Sequence, residues 1–173
     1  LKIDIDTPDK CFWLIKAGDV SVNYYQNIHA LRCYSAAVKA LTPFNEKRAN
    51  SLLVDASIKY SKISAASDHV VNVIASLKLA LERTPDNDLY QKALLKMHIA
   101  KNEWLQSNYN EALKHFNEGW EIALSLQDLS LLRAVNTFSV FFHYWQGRYK
   151  EAIERYETFM SGDTKYDFPL FGA

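Results

Sequence analysis

Two stretches of the 173-residue chain constrain its fold more than any other feature. They are "QSNYNEALKHF" at 106–116 and "QGRYKEAIERY" at 146–156, forty residues apart. Gln106/Gln146, Tyr109/Tyr149, Glu111/Glu151 and Ala112/Ala152 are identical pairs, while Leu113/Ile153 and Phe116/Tyr156 are conservative ones. Self-similarity at a fixed period of this length marks a supersecondary unit used more than once. The unit is helical. Apolar residues recur at spacings of three and four, as in Leu77, Ala80, Leu81 and in Leu94, Met97, Ala100, Trp104, with Lys101 on the same stripe. Strand-like alternation is absent over any useful length, so the chain reads as all-α.

The prolines fall at the ends of these segments. Thr7 followed by Pro8 fits an N-cap with proline at the first helical position. Pro43 and Pro85 follow Ala40-Leu41 and Leu81-Glu82-Arg83, where helices should stop. Two weaker copies of the unit precede the strong pair: "HALRCYSAAVKALTP" at 29–43 and "NVIASLKLALERTP" at 72–85. Aligning Ala30, Val73, Ala112 and Ala152 gives spacings of 43, 39 and 40 residues, room for two helices per unit. The units are then about 8–43, 44–86, 87–127 and 128–162, within a single domain over 1–173. Placing a turn at "AGDV" (17–20) would instead make a helix from about 20 to 41; even spacing favours Gly18 inside the first helix.

At these residues the chain resembles the tetratricopeptide repeat, a helix–turn–helix unit. That pattern places a small residue, a large one four on and a small one three further in the second helix. Here those are Ala30, Tyr34, Ala37; Val73, Leu77, Ala80; and Ala112, Phe116, Gly119. The fourth unit gives Ala152, Tyr156 and then Phe159, a departure. Where the first helix wants a small residue, Gly18, Ser61 and Ala100 comply and Val140 does not. Units longer than the usual 34 residues make the chain similar to arrays in bacterial signal-transduction ATPases and LuxR-type (MalT-like) transcriptional activators. The resemblance implies a right-handed α-α superhelix of about four helix pairs, in a cytoplasmic regulatory or signalling protein. The leading Leu1 suggests a domain within a longer chain.

Charge and motifs narrow the function by exclusion. Twenty basic and twenty acidic residues cancel, so no global field draws the chain to nucleic acid or an anionic membrane. No apolar run approaches the ~18 residues of a transmembrane helix, and no signal segment opens the chain. Phosphate-binding and hydrolytic signatures such as GxxxxGK[ST], GxGxxG, GxSxG and HExxH are missing, so no catalytic residue, cofactor or metal is expected. His29, His69, His98, His115 and His143 are scattered, and His115 near Glu111 and Glu118 reads as a solvated face rather than a zinc site. "KYSKISAAS" (59–67) holds no base in register and reads as a helix end and turn. Cys11 and Cys33 read as small buried hydrophobes, with a disulfide as the alternative.

What remains is a surface. The resemblance implies that first helices line a concave face that binds peptides or ligands. Its groove positions fall on Met97, Lys101, Trp104 and Leu105 in the third unit, and on Thr137, Phe141, Tyr144 and Trp145 in the fourth. Asp55, Ile58 and Lys62 are the counterparts in the second. The carboxylate clamp of chaperone-binding relatives needs Lys, Asn and Arg, and only Lys62 and Lys101 are suitable. The groove is therefore expected to be aromatic and apolar, with an occasional cation. Two functions fit: an interaction module for a protein, a peptide or other domains of its own chain, or a small-molecule sensor in which Trp104, Tyr144 and Trp145 stack on an apolar or sugar-like ligand. In "FSVFFHYW" (138–145), Phe138 and Phe142 read as core, and Phe141, Tyr144 and Trp145 as a stripe facing a ligand, a neighbouring unit or a second copy. If 162–173 begin another unit, the array lacks its polar cap there, and a homodimer through that end is expected.

Overall fold

The computed structural model describes residues 8–64 and 70–160, which form eight α-helices and no strand. They are α1 (Pro8–Asn23), α2 (Asn27–Leu41), α3 (Lys47–Ile63), α4 (Val70–Arg83), α5 (Leu89–Leu105), α6 (Tyr109–Leu126), α7 (Leu129–Trp145) and α8 (Tyr149–Met160). Thr7 and residues 65–67 and 162–173 lie outside the described residues, and so do the expectations placed on them.

Helix ends follow the local chemistry. Pro8 is the first residue of α1, where its missing N–H costs no hydrogen bond. Asp88 and Asp128, another pair forty residues apart, cap α5 and α7: their carboxylates accept from Gln91 N at 3.2 Å and Leu131 N at 2.8 Å. The links within pairs α1–α2, α5–α6 and α7–α8 share one geometry. Gln26, Asn108 and Arg148 donate their N–H to the carbonyls of Ser21, Glu103 and His143, at 2.8, 2.9 and 2.9 Å. This closure needs one left-handed residue, supplied by Tyr25 (φ 58), Ser107 (φ 62) and Gly147 (φ 74). The first turn is therefore at 24–26, and Gly18 lies inside α1. Only Gly147 takes that conformation without a Cβ penalty. Replacing the 87% exposed Tyr25 by glycine is expected to stabilise the protein by about 0.5–1 kcal/mol, read as a higher denaturant midpoint at unchanged slope.

Packing contacts divide the chain into two compact bodies, Leu1–Gln127 and Asp128–Ala173. In the first, consecutive helices α1 to α6 pack on one another, and α3 also packs on both α1 and α5. Ala30, Leu53, Leu77, Leu95 and Ile99, all with no exposed surface, belong to one apolar core. Cys11 and Cys33 are both buried free thiols, which disposes of the disulfide alternative.

The close approach of α1 and α2 is made by Gly18. A Cβ built there would lie 2.5 Å from the Tyr34 ring. That ring is 2% exposed, and its hydroxyl donates to Asp19 Oδ1 at 2.8 Å. Asp19 Oδ2 accepts from Lys59 at 2.8 Å, tying α3 to the same point. Burial pushes the Asp19 carboxyl upward, but these hydrogen bonds outweigh it and hold it below the usual carboxylate range. The aligned positions Ala30, Val73, Ala112 and Ala152 are all buried. In the second body α7 packs on α8, with Phe142 2% exposed and Phe138 half-buried. Tyr156 stays 53% exposed, unlike its counterparts Tyr34 and Leu77. In α7, Val140 occupies the position taken by Gly18 and by the fully buried Ser61 and Ala100 in α1, α3 and α5.

Candidate functional site

The predicted surface positions separate by burial. On α5, Met97 has no exposed surface, and its Cε lies 2.8 Å from a Cβ built on Gly119 of α6. Met97 therefore fills the interior of the α5–α6 pair and presents nothing to a ligand. Lys101 is 6% exposed and is also interior. Trp104 is half-buried and Leu105 is 39% exposed. On α7, Thr137, Phe141 and Trp145 are half-buried and Tyr144 is 57% exposed. Thr137 turns its hydroxyl onto the Arg133 carbonyl at 3.1 Å.

The helix ends bring aromatic side chains together in a repeated way. Trp104 meets Tyr109 edge-on, with ring centroids 4.8 Å apart, and Tyr144 meets Tyr149 at 5.6 Å. Each pair spans the turn between the two helices of one unit, and the tyrosines that open α6 and α8 remain 50% and 59% exposed. Trp145 lies instead against Phe141 and Phe142, at 5.8 and 5.6 Å. Tyr144 is thus the surface member of this stripe and Trp145 the packing member.

Where α3 meets α5, residues distant in sequence form a buried polar cluster. Asn102 Nδ2 donates to Ser61 Oγ at 2.8 Å and to the His98 carbonyl at 2.7 Å. Ser61 Oγ lies 2.9 Å from His98 Nδ1. Burial, with Lys101 and Lys62 nearby, pushes the His98 pKa well below its usual value, so the ring is neutral at pH 7. Its Nδ1 is then the acceptor for the Ser61 hydroxyl, an assignment made from the network. Asn102 Oδ1 is buried without a hydrogen-bond partner. A serine bonded to a histidine is also the arrangement of an activated nucleophile. Here Ser61 is fully buried and His98 is 5% exposed, so the hydroxyl has no open approach.

Lys101 completes the cluster by donating to the Ser61 carbonyl at 2.8 Å, in the last turn of α3. Burial first, and then the Lys62 charge, lower its pKa to about 8. A lysine whose folded pKa lies below its unfolded one near 10.5 makes the fold more stable as pH rises between the two values. At pH 7 that shift corresponds to a cost of about 3 kcal/mol, against about 1 kcal/mol from the bond to Ser61. Lys101→Met is therefore expected to be as stable as the parent or more stable at pH 7. Its advantage should shrink as pH rises from 8 to 10 in paired urea titrations; a clear loss of stability at pH 7 would refute the assignment.

None of Ser61, His98 and Asn102 stands out in sequence, because they come together only when α3 packs on α5. Glu103 is similar: it is 3% exposed and accepts from Lys78 at 2.6 Å and Asn108 at 2.7 Å. Burial raises its pKa, but those two donors outweigh burial and the net shift is downward. Among the described residues no three His, Cys, Asp or Glu side chains converge as metal ligands, and no helix is long and apolar enough to cross a membrane. No family model, no curated protein and no solved structure matches this chain.

Proposed function

We propose that the chain is a non-catalytic helical-repeat interaction module, a tetratricopeptide-like array of about four helix pairs that serves a regulatory or signalling protein. It binds a protein or peptide segment through its first helices. One observation carries this reading: the aromatic corner at the ends of α5 and α7, Trp104–Leu105 and Tyr144–Trp145, recurs forty residues apart with the same tyrosine partner. Tyr and Trp bury large area for little lost rotamer freedom and keep a polar tip, which makes them favoured contact residues. The turn geometry shared by three of the pairs supports the repeat. The enclosed Ser61 supports a binding role over a hydrolytic one.

A peptide-display selection against the protein, repeated with Leu105→Ser and Tyr144→Ser, tests the proposal. Both residues are exposed, so melting temperatures should stay within about 2 °C while binding of the selected peptides weakens. Peptides that bind both variants as well as the parent would sink it. Stabilisation by a small apolar or sugar-like ligand, with no peptide selected, would favour the sensor function instead.

A further inference from the structure

A groove of about 480 Å³ runs along α2. Its lining is Ile28, Leu31, Arg32, Ser35, Ala36 and Lys39, with Tyr60 of α3 as the wall. The α2 residues follow the spacing i, i+3, i+4, i+7, i+8, i+11, which is one continuous stripe of a helix. At 1.5 Å per residue the stripe is about 16 Å long. Ile28 is 71% exposed, an apolar residue with no cover. Ser35 and Ala36, at the centre, are small enough to admit a second helix at an axis distance of about 8–10 Å.

The charges on this stripe are all of one sign. Arg32 and Lys39 are exposed, seven residues apart, and neither has an ion pair or hydrogen bond among the described residues. Helix α2 contains no Asp or Glu. Some cations of the same body do find acids, as Arg48 finds Asp9 at 2.7 Å and Lys59 finds Asp55 at 3.0 Å. The exposed Lys47 and Lys62 stand without one among the described residues, but they are not set on an apolar stripe of this groove. A second copy of this chain docked about a two-fold axis would bring like charges together, which disfavours a symmetric dimer here.

We infer that the α2 groove docks an acidic amphipathic helix of a partner protein, its apolar stripe on Ile28, Leu31 and Ala36 and two carboxylates seven residues apart on Arg32 and Lys39. The geometry is that of a helix laid in a groove, with apolar anchors at i, i+3/i+4 and i+7 and complementary charges fixing register. This surface is distinct from the Leu105 and Tyr144 positions, so either could fail without the other.

A library of 18-residue amphipathic peptides carrying Glu pairs at i,i+7 tests the inference by fluorescence anisotropy. Saturable binding that weakens with added salt is expected, at least about tenfold weaker for the double variant Arg32→Glu/Lys39→Glu and several-fold weaker for Ile28→Ser. Peptides with Lys in place of those Glu residues should recover binding to the double variant. Melting temperatures of both variants report that they fold. The inference is overturned if no library member saturates, or if selected peptides bind the double variant as tightly as the parent. Concentration-dependent dimerisation abolished by Arg32→Glu would overturn it too, by assigning the groove to a second copy.

Discussion

Gly18→Ala lowers the thermal midpoint, although alanine is the better helix former. Propensity alone favours the substitution by about 1 kcal/mol in a helix interior. Against it stands a Cβ placed 2.5, 2.8 and 2.9 Å from three atoms of the Tyr34 ring. The ring cannot swing away freely, because it is buried and its hydroxyl is bonded to Asp19, which Lys59 holds in turn. Overpacking a close helix contact of this kind costs about 1–3 kcal/mol even after relaxation, and the ring atoms that must move are those beside the bonded hydroxyl. A net loss on the order of 5 °C in melting temperature is expected. Gly147→Ala is the control. An added Cβ there meets nothing within 4 Å, and the φ of 74° alone imposes about 1 kcal/mol. A Gly18→Ala protein that melts higher than the parent would show that α1 and α2 can separate without penalty.

The second large effect divides two adjacent residues of α7. Trp145→Ala should cost about 2–4 kcal/mol, because a half-buried indole stacked on Phe141 and tilted against Phe142 leaves a void that two rings cannot fill. Tyr144→Ala should stay within about 1 kcal/mol, since the ring is 57% exposed and touches Tyr149 at its edge. Urea titration of the two variants gives the comparison. Equal stability losses would mean that the stripe is all core, and peptide binding would then have to be sought elsewhere. Unequal losses leave Tyr144 as the residue whose substitution reads binding without disturbing the fold.

Much of the helical organisation was legible along the chain. Prolines 43 and 85 and the forty-residue pairs Gln106/Gln146 and Tyr109/Tyr149 marked where helices stop and start, because stop signals and turn chemistry act over a few residues. The aligned small positions Ala30, Val73, Ala112 and Ala152 were legible as buried for the same reason: within a hairpin, periodicity reports which face meets the nearest helix. Gly18 needed the turn at 24–26 to be placed, since "AGDV" carries a turn signal of its own.

The sequence by itself thus determined an all-helical chain and the small residues at which neighbouring helices such as α1 and α2 or α5 and α6 meet. Only the tertiary structure decided what lies on the remaining faces. A helix such as α5 touches α3, α4 and α6 together, and three contacts leave little of its circumference to solvent. Met97 and Lys101 therefore turned inward, while Leu105, one turn past Lys101 at the helix end, stayed partly exposed. The Ser61–His98–Asn102 cluster arises the same way, from packing between residues far apart in sequence, and the cationic stripe on α2 is left bare because no neighbouring helix among the described residues covers it. Local periodicity is set by the backbone, but exposure is set by which neighbours arrive.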